Sequence, residues 1–322
     1  MKTKNCVLTL ILATLIGCAQ PEADETKLAS RRFEFEYKTT VSGFPAGAKK
    51  ARIWVPLPVN DEAQDVKVVR ISAPVAHLVG QDKVYGNKNV YLEVDAPFPK
   101  SIEVSMTLQV TRKEVRSVSR LPTQPARSRL LSGDRLAPLS EEAKSRAIEA
   151  TGSSIVVGHQ ARSIYDRVLT DVSYDKSGQG WGHGDLKYVC EVGKGNCSDF
   201  HSLFIAMARS KEIPAVFEIG FPLPKDEEEG TIGGYHCWAW FQDGVSRWRP
   251  VDVSEADKDP SKTDYFFGTI CENRVAFSRG RDLVLDPPQA GEPANFLIYP
   301  YVEIDGKTDV AKVDKSFRFK NL

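Results

Sequence analysis

From Arg32 to about Val115 the chain alternates apolar and polar residues. Phe33, Phe35 and Tyr37 interleave with Arg32, Glu34, Glu36 and Lys38, and Ile102, Val104, Met106, Leu108 and Val110 form a longer run of the same kind. A period of two sends every second side chain to one face, as in a half-buried strand. Residues 53–55, 66–71 and the segments around 86–89 add further strands and a turn. Several short strands with turn signals and no helical stretch predict an antiparallel β-sandwich over residues 31–115. The period is then lost. Residues 117–138 carry Pro122, Pro125 and Pro138 among Arg120, Arg127, Arg129 and Arg135, which predicts an extended connector over 116–138. A helical period follows. Ser140 caps a stretch opening Glu141-Glu142, and Val157, Ala161, Ile164, Tyr165, Val168 and Val172 mark the apolar face of the next helix. Phe200, Leu203, Phe204 and Met207 predict another, packed by one face.

That last helix begins with candidate chemistry. Asn196 stands at the N-cap position, with Asp199 at the third position of a capping box. Cys197 falls in the first turn, where unpaired N–H groups and the positive end of the helix dipole favour a thiolate. Downstream, residues 235–241 and 247–253 are rich in aromatic and β-branched residues and flank Gln242-Asp243-Gly244-Val245-Ser246. They predict a hairpin. A three-residue loop centred on Gly244 would pair His236 with Asp252 and Trp240 with Trp248, both on one face. Directly opposed residues stand about 4.5–5.5 Å apart at Cβ, so the carboxylate could hold the imidazole in one tautomer. A two-residue loop would turn Asp252 to the other face. A nucleophile (Cys197), a base (His236) and an orienter (Asp252) thus converge. A lone cysteine is ordinarily a small buried hydrophobe, and the case rests on the convergence. His201 is a rival base, one turn past Cys197 on the same helix face. Asp252 cannot easily orient a base in that position, so His201 is expected behind the site or in the cleft wall.

These residues resemble the transglutaminase-like superfamily. The resemblance is carried by Gly195, Cys197, Asp199, Phe200, Leu203 and Phe204, by Ile213-Pro214-Ala215, by His236 with Trp238 and Trp240, and by Trp248 through Asp252. It covers about residues 155–255 and implies a papain-like core, a Cys-His-Asp triad in this order, and acyl transfer or amide hydrolysis through a thiol. Cys237 departs from the pattern, since many relatives have a small or apolar residue after the base. Gly178, Gly180, Gly182 and Gly184 surround Gln179, Trp181 and His183, which suggests backbone approaching a cleft. The resemblance implies an oxyanion held by the nucleophile's N–H and an upstream Trp or Gln. Trp181 is the better candidate and Gln179 the second, with a packing role for Trp181 as the alternative. The expected fold class is α+β: a papain-like catalytic domain over 139–322 behind the sandwich, with residues 296–303 and 316–319 closing its sheet.

Charge and cysteine usage narrow the picture. The 43 Lys and Arg balance 43 Asp and Glu, which argues against a nucleic-acid partner. Lys2 and Lys4 precede an apolar run from Cys6 to Ile16 that is too short to span a bilayer. The run ends in Leu15-Ile16-Gly17-Cys18 and resembles a bacterial lipobox. This implies a signal peptide over 1–17, lipidation of Cys18, and a membrane-anchoring tether over 18–30, with ordinary secretory cleavage as the alternative. Ala19 after the cysteine implies the periplasmic face of an outer membrane. Of the remaining cysteines, Cys190, Cys197, Cys237 and Cys271, one must stay free to react. A disulfide between Cys190 and Cys237 is expected if Cys237 faces away from His236, with two free thiols as the alternative. The five His are scattered and no Cys or His pair has zinc spacing, so neither metal nor cofactor is expected. The activity expected is hydrolysis of an amide bond in a peptide, protein or peptidoglycan peptide. Alternatives are a protein-glutamine amine transferase, its amine drawn by the acidic run 226–229, and a peptide- or glycan-binding lipoprotein without turnover.

Overall fold

The computed structural model describes residues 28–123 and 125–322. The amino-terminal apolar run and Cys18 lie outside the described residues. The alternating segments form two antiparallel sheets. Ser30–Ser42 pairs with Ser101–Lys113 on one side and Lys312–Asn321 on the other, and Gln64–Ser72 and Glu229–Thr231 are the edges of this five-stranded sheet. Lys50–Leu57 and Lys88–Asp95 form the centre of a four-stranded sheet edged by Tyr301–Ile304 and His77–Gln81. Phe33, Phe35, Tyr37 and the alternating residues from Ile102 to Val110 are fully buried and share one core with Ile53, Val55, Val90 and Leu92. The two carboxy-terminal strands complete these sheets and not the catalytic one. Apolar alternation marks a strand and its buried face, but does not say which sheet that face covers.

The catalytic sheet is antiparallel, in the order Trp248–Val251, His236–Gln242, Ala215–Pro222, Arg274–Arg279. Helix Cys197–Ser210 lies against it, with Glu141–Thr151, Val157–Asp171, Leu186–Val192 and Val253–Lys258 packed around. Every residue from Cys197 to Arg209 is buried, so this helix is central and not packed by one face. Its polar side chains find partners inside. Arg209 donates to the Ala215 carbonyl at 2.9 Å, the Ser132 carbonyl at 2.7 Å and Asp134 at 2.8 Å. The connector is therefore tied down and not extended. It forms a short helix, Arg127–Leu131, buries Leu121 and Leu130, and bridges Val118 to Trp248.

Sandwich and catalytic sheet meet along the edge strand Arg274–Arg279, whose outer N–H and C=O groups need partners. The Gln64 amide donates to the Ala276 carbonyl and accepts from the Ala276 N–H, both at 2.9 Å. Asn87 does the same for Arg279, at 2.8 and 2.7 Å. Arg279, only 5% exposed, then bridges Asp61 of the sandwich half and Glu218 of the catalytic sheet. Glu218 also accepts from the indoles of Trp238 and Trp240. Removing this guanidinium would break the ion pairs that join two buried carboxylates. Arg279→Ala should therefore cost about 3–5 kcal/mol of stability, read as a lowered urea midpoint; an unchanged midpoint would contradict the role given to this bridge.

Candidate active site

Asn196 adopts extended backbone angles and caps the helix, its side chain accepting the Ser198 N–H at 2.8 Å while Asp199 accepts the Asn196 N–H at 2.8 Å. Asp199 also reaches the glycine-rich loop. Oδ2 accepts from the Gly182 N–H at 2.7 Å and Oδ1 from the Gly184 N–H at 3.0 Å. One buried carboxylate thus fixes both the start of the helix and the loop before it. Burial raises its pKa, against the pull of those three N–H groups. Gly195 must lack a side chain, because a Cβ there would stand 2.3 Å from Asp199 Oδ2. Gly184 has φ +60°, and its Cβ would meet Ser202 Oγ at 2.2 Å. The opposite side of the loop is held by Arg281, which donates to the carbonyls of His183 and Gly184 at 2.7 and 2.9 Å and to Ser202 Oγ at 2.7 Å. Asn295 bonds both Arg281 and the His183 carbonyl. Trp181 sits half-buried in this clamped loop with Lys176 over its ring, and Gln179 is exposed.

The hairpin brings the base and the acid together in a register different from the one expected. Trp240 pairs with Pro250 and Gln242 with Trp248, and the loop spans 243–247, closed by the Asp243 N–H on the Arg247 carbonyl at 2.8 Å. The register slips by two residues, an even number, so Asp252 keeps its face. The strand ends at Val251. Asp252 instead caps the short helix Val253–Lys258, with Oδ1 accepting the Glu255 N–H at 3.1 Å. Its Oδ2 lies 2.7 Å from His236 Nε2. That leaves Nδ1 for the Cys197 sulfur, whose side-chain hydrogen-bond partners are Cys237 and His236.

Each member of the triad is buried, and burial by itself would disfavour every charge on it. Burial pushes the His236 imidazolium down, but the Asp252 carboxylate outweighs it and the pKa rises to about 9. Burial also opposes a Cys197 thiolate, yet hydrogen bonds from Cys237 and His236, together with the His236 charge, bring the thiol well below its ordinary value. Asp252 is likewise opposed by burial and held well below the usual carboxylate range, chiefly by His236 and also by Arg274. Both shifts run in the direction of a thiolate–imidazolium pair. Behind it, Arg274 Nη2 lies 3.7 Å from Asp252 Oδ2 and 3.8 Å from Glu255 Oε2. Neither Arg274 nor Arg281 is marked in the sequence, since no local pattern signals a buried arginine whose partners stand on other elements.

His201 is fully buried, with Nδ1 2.7 Å from the Cys197 carbonyl and Nε2 accepting the Val253 N–H at 3.1 Å. This pattern requires a neutral ring with its proton on Nδ1, and burial lowers its pKa. His201 pins the nucleophile's turn to the turn capped by Asp252, behind the site and not in a cleft wall. The expected Cys190–Cys237 disulfide is absent, and Cys190, Cys197, Cys237 and Cys271 are free. Cys190 is half-buried on Leu186–Val192, where its carbonyl accepts from Arg146. Cys237 instead points at the nucleophile's turn, 3.8 Å from Ser198 Oγ and 3.7 Å from His201 Nδ1.

All three triad residues lie within 144–253, the segment that matches the transglutaminase-like superfamily. Residues 144–253 form a transglutaminase-like domain. An uncharacterized protein of Haemophilus influenzae is 26% identical over 319 residues, covering 85% of this chain and 86% of the relative. A solved structure from Cytophaga hutchinsonii, described as a "putative cysteine protease", is similar with a TM-score of 0.60 at 14% identity, covering 91% of each chain. At that identity the likeness is one of fold, and it extends well beyond the transglutaminase-like domain.

His236→Ala should lower turnover by about 10²–10⁴-fold and slow the alkylation of Cys197 by iodoacetamide at neutral pH. His201→Ala should cost about 1–3 kcal/mol, because it orphans buried backbone groups, while Cys197 stays reactive. In the wild type, alkylation should already be at its plateau at neutral pH. Turnover should fall as pH rises through about 9, where His236 loses the proton due to the leaving group. Alkylation and turnover followed across pH check all of this; equal damage from the two substitutions would contradict the assignment.

Proposed function

We propose that the chain is a thiol hydrolase of amide or peptide bonds, exported and held at the periplasmic face of an outer membrane by lipid on Cys18. The observation that carries the catalytic reading is Cys197 at the start of a buried helix, hydrogen-bonded to His236, with Asp252 2.7 Å from the far ring nitrogen. In this reading the thiolate attacks the carbonyl. The oxyanion meets the Cys197 N–H at the helix start, with the Trp181 indole N–H as the second donor. His236 gives its proton to the leaving amine, which departs as the thioester forms. The imidazole then takes a proton from water as the water attacks the thioester, and Cys197 is restored. Asp252 orients the ring and stabilises its charged form. The superfamily match and the fold likeness to a described cysteine protease support the class of chemistry.

Water is favoured over an amine as the second nucleophile. Transfer needs a site that lets a dilute amine outcompete water, and the acidic run that could draw an amine lies in solvent. Residues 225–229 are exposed, and Glu229–Thr231 joins the sandwich sheet. Incubated with a glutamine-containing peptide and a labelled primary amine, the purified protein should cleave or deamidate the peptide without taking up label. Preferential labelling would replace hydrolysis by amine transfer, and thiol labelling without turnover of any peptide or peptidoglycan fragment would favour a binding role. The anchor rests on Leu15-Ile16-Gly17-Cys18. Cys18→Ala should abolish lipid labelling and release the protein from membranes; normal retention of that variant would contradict the anchor.

A further inference from the structure

The proposed chemistry uses one thiol, yet two meet at the site. Cys237 directly follows the base, is 0% exposed, and faces the nucleophile's turn, donating to Ser198 Oγ at 3.8 Å and lying 3.7 Å from His201 Nδ1, with the Cys197 sulfur as a further side-chain partner. Both of those neighbours belong to the same turn: His201 Nδ1 is bonded to the Cys197 carbonyl at 2.7 Å, and Ser198 Oγ lies 3.3 Å from the Tyr235 hydroxyl. The reactive sulfur thus rests against a second sulfur that helps to sustain its thiolate but takes no step in acyl transfer. A thiolate beside a protonated thiol is the arrangement of an attacking and a resolving cysteine.

We infer that Cys197 and Cys237 form a redox-modification site at which a hydroperoxide oxidises Cys197 and Cys237 closes a reversible Cys197–Cys237 disulfide. The inference rests on Cys197 being the reactive thiolate. That thiolate attacks one peroxide oxygen, the O–O bond breaks, and Cys197 becomes a sulfenic acid; the departing alkoxide or hydroxide takes the His236 proton. Cys237 then attacks the sulfenic sulfur. The S–S bond forms, the S–O bond breaks, and water leaves with the Cys237 proton. Two thiols are oxidised and one hydroperoxide is reduced. Burial pushes the Cys237 thiol well above its ordinary value, so it does not compete with Cys197 for the peroxide. A dithiol reductant reverses the bond by exchange. Without Cys237, the sulfenic acid would be left for a second hydroperoxide to oxidise to the irreversible sulfinic form.

The experiment treats the purified full chain with two equivalents of hydrogen peroxide, the amount that carries one thiol to the sulfinic acid, and maps its tryptic peptides without reduction. The expected product links peptide 195–209, which carries Cys197, to peptide 226–247, which carries Cys237. Iodoacetamide labelling of Cys197 should be lost with that link and fully recovered with dithiothreitol. In Cys237→Ser and Cys237→Val, the same treatment should leave Cys197 as sulfinic acid, with no recovery. Wild-type Cys197 turning to sulfinic acid without a link to Cys237 would overturn the inference and leave the thiol-enzyme reading standing. A Cys197 inert to both peroxide and iodoacetamide would overturn both.

Discussion

The Asp199 carboxylate is the point on which the site depends. It lies in the first turn of a helix and accepts three backbone N–H groups, one from the cap residue and two from the glycine-rich loop. The helix start therefore cannot shift without the loop, nor the loop without the helix. A carboxylate is suited to that place, since it meets unpaired donors and the positive end of the dipole. Gly195 is the condition for its approach. Arg281 completes the arrangement by holding the loop's carbonyls, so acid and base grip opposite polarities of one short segment. A nucleophile mounted on such a turn keeps its orientation through a reaction cycle without relying on its own packing.

The charges of the triad are sustained by the same logic of mutual compensation in a buried place. His236 is cationic because Asp252 is anionic, and Asp252 is anionic because His236 and Arg274 are near. Arg274 opens the strand whose other end, Arg279, is locked to the sandwich. The sandwich is thus connected to the candidate site through one strand. Gln64 and Asn87 satisfy its outer edge, and the guanidinium at its inner end faces the acid of the triad.

What could be read from the sequence was local or periodic. The cap, the box residue and the cysteine between them are a contiguous pattern with one physical meaning, and the structure keeps it. The His–Asp contact was found through a hairpin whose loop is longer than supposed. An even slip preserves the face, so the contact survives the misjudged register, and Asp252 makes it diagonally from a helix cap. His201 was placed behind the site by its helix position, but Arg209 and Arg281 were opaque because their partners come from elements far apart in the chain. Cys237 was misassigned because strand alternation gives the face of a residue but not what stands against it. The central helix looked one-sided because its buried polar residues read as solvent-facing until their partners are known.

The central claim is that Cys197 is a thiolate at rest because His236 is an imidazolium held by Asp252. Thiolate absorbance measured against pH, as the difference between the wild-type protein and Cys197→Ser, tests it directly. The account predicts a thiolate signal already present at neutral pH, and its shift to the alkaline range of an ordinary thiol in Asp252→Ala. A Cys197 that ionises only in that alkaline range in the wild type, unchanged by loss of Asp252, would contradict it.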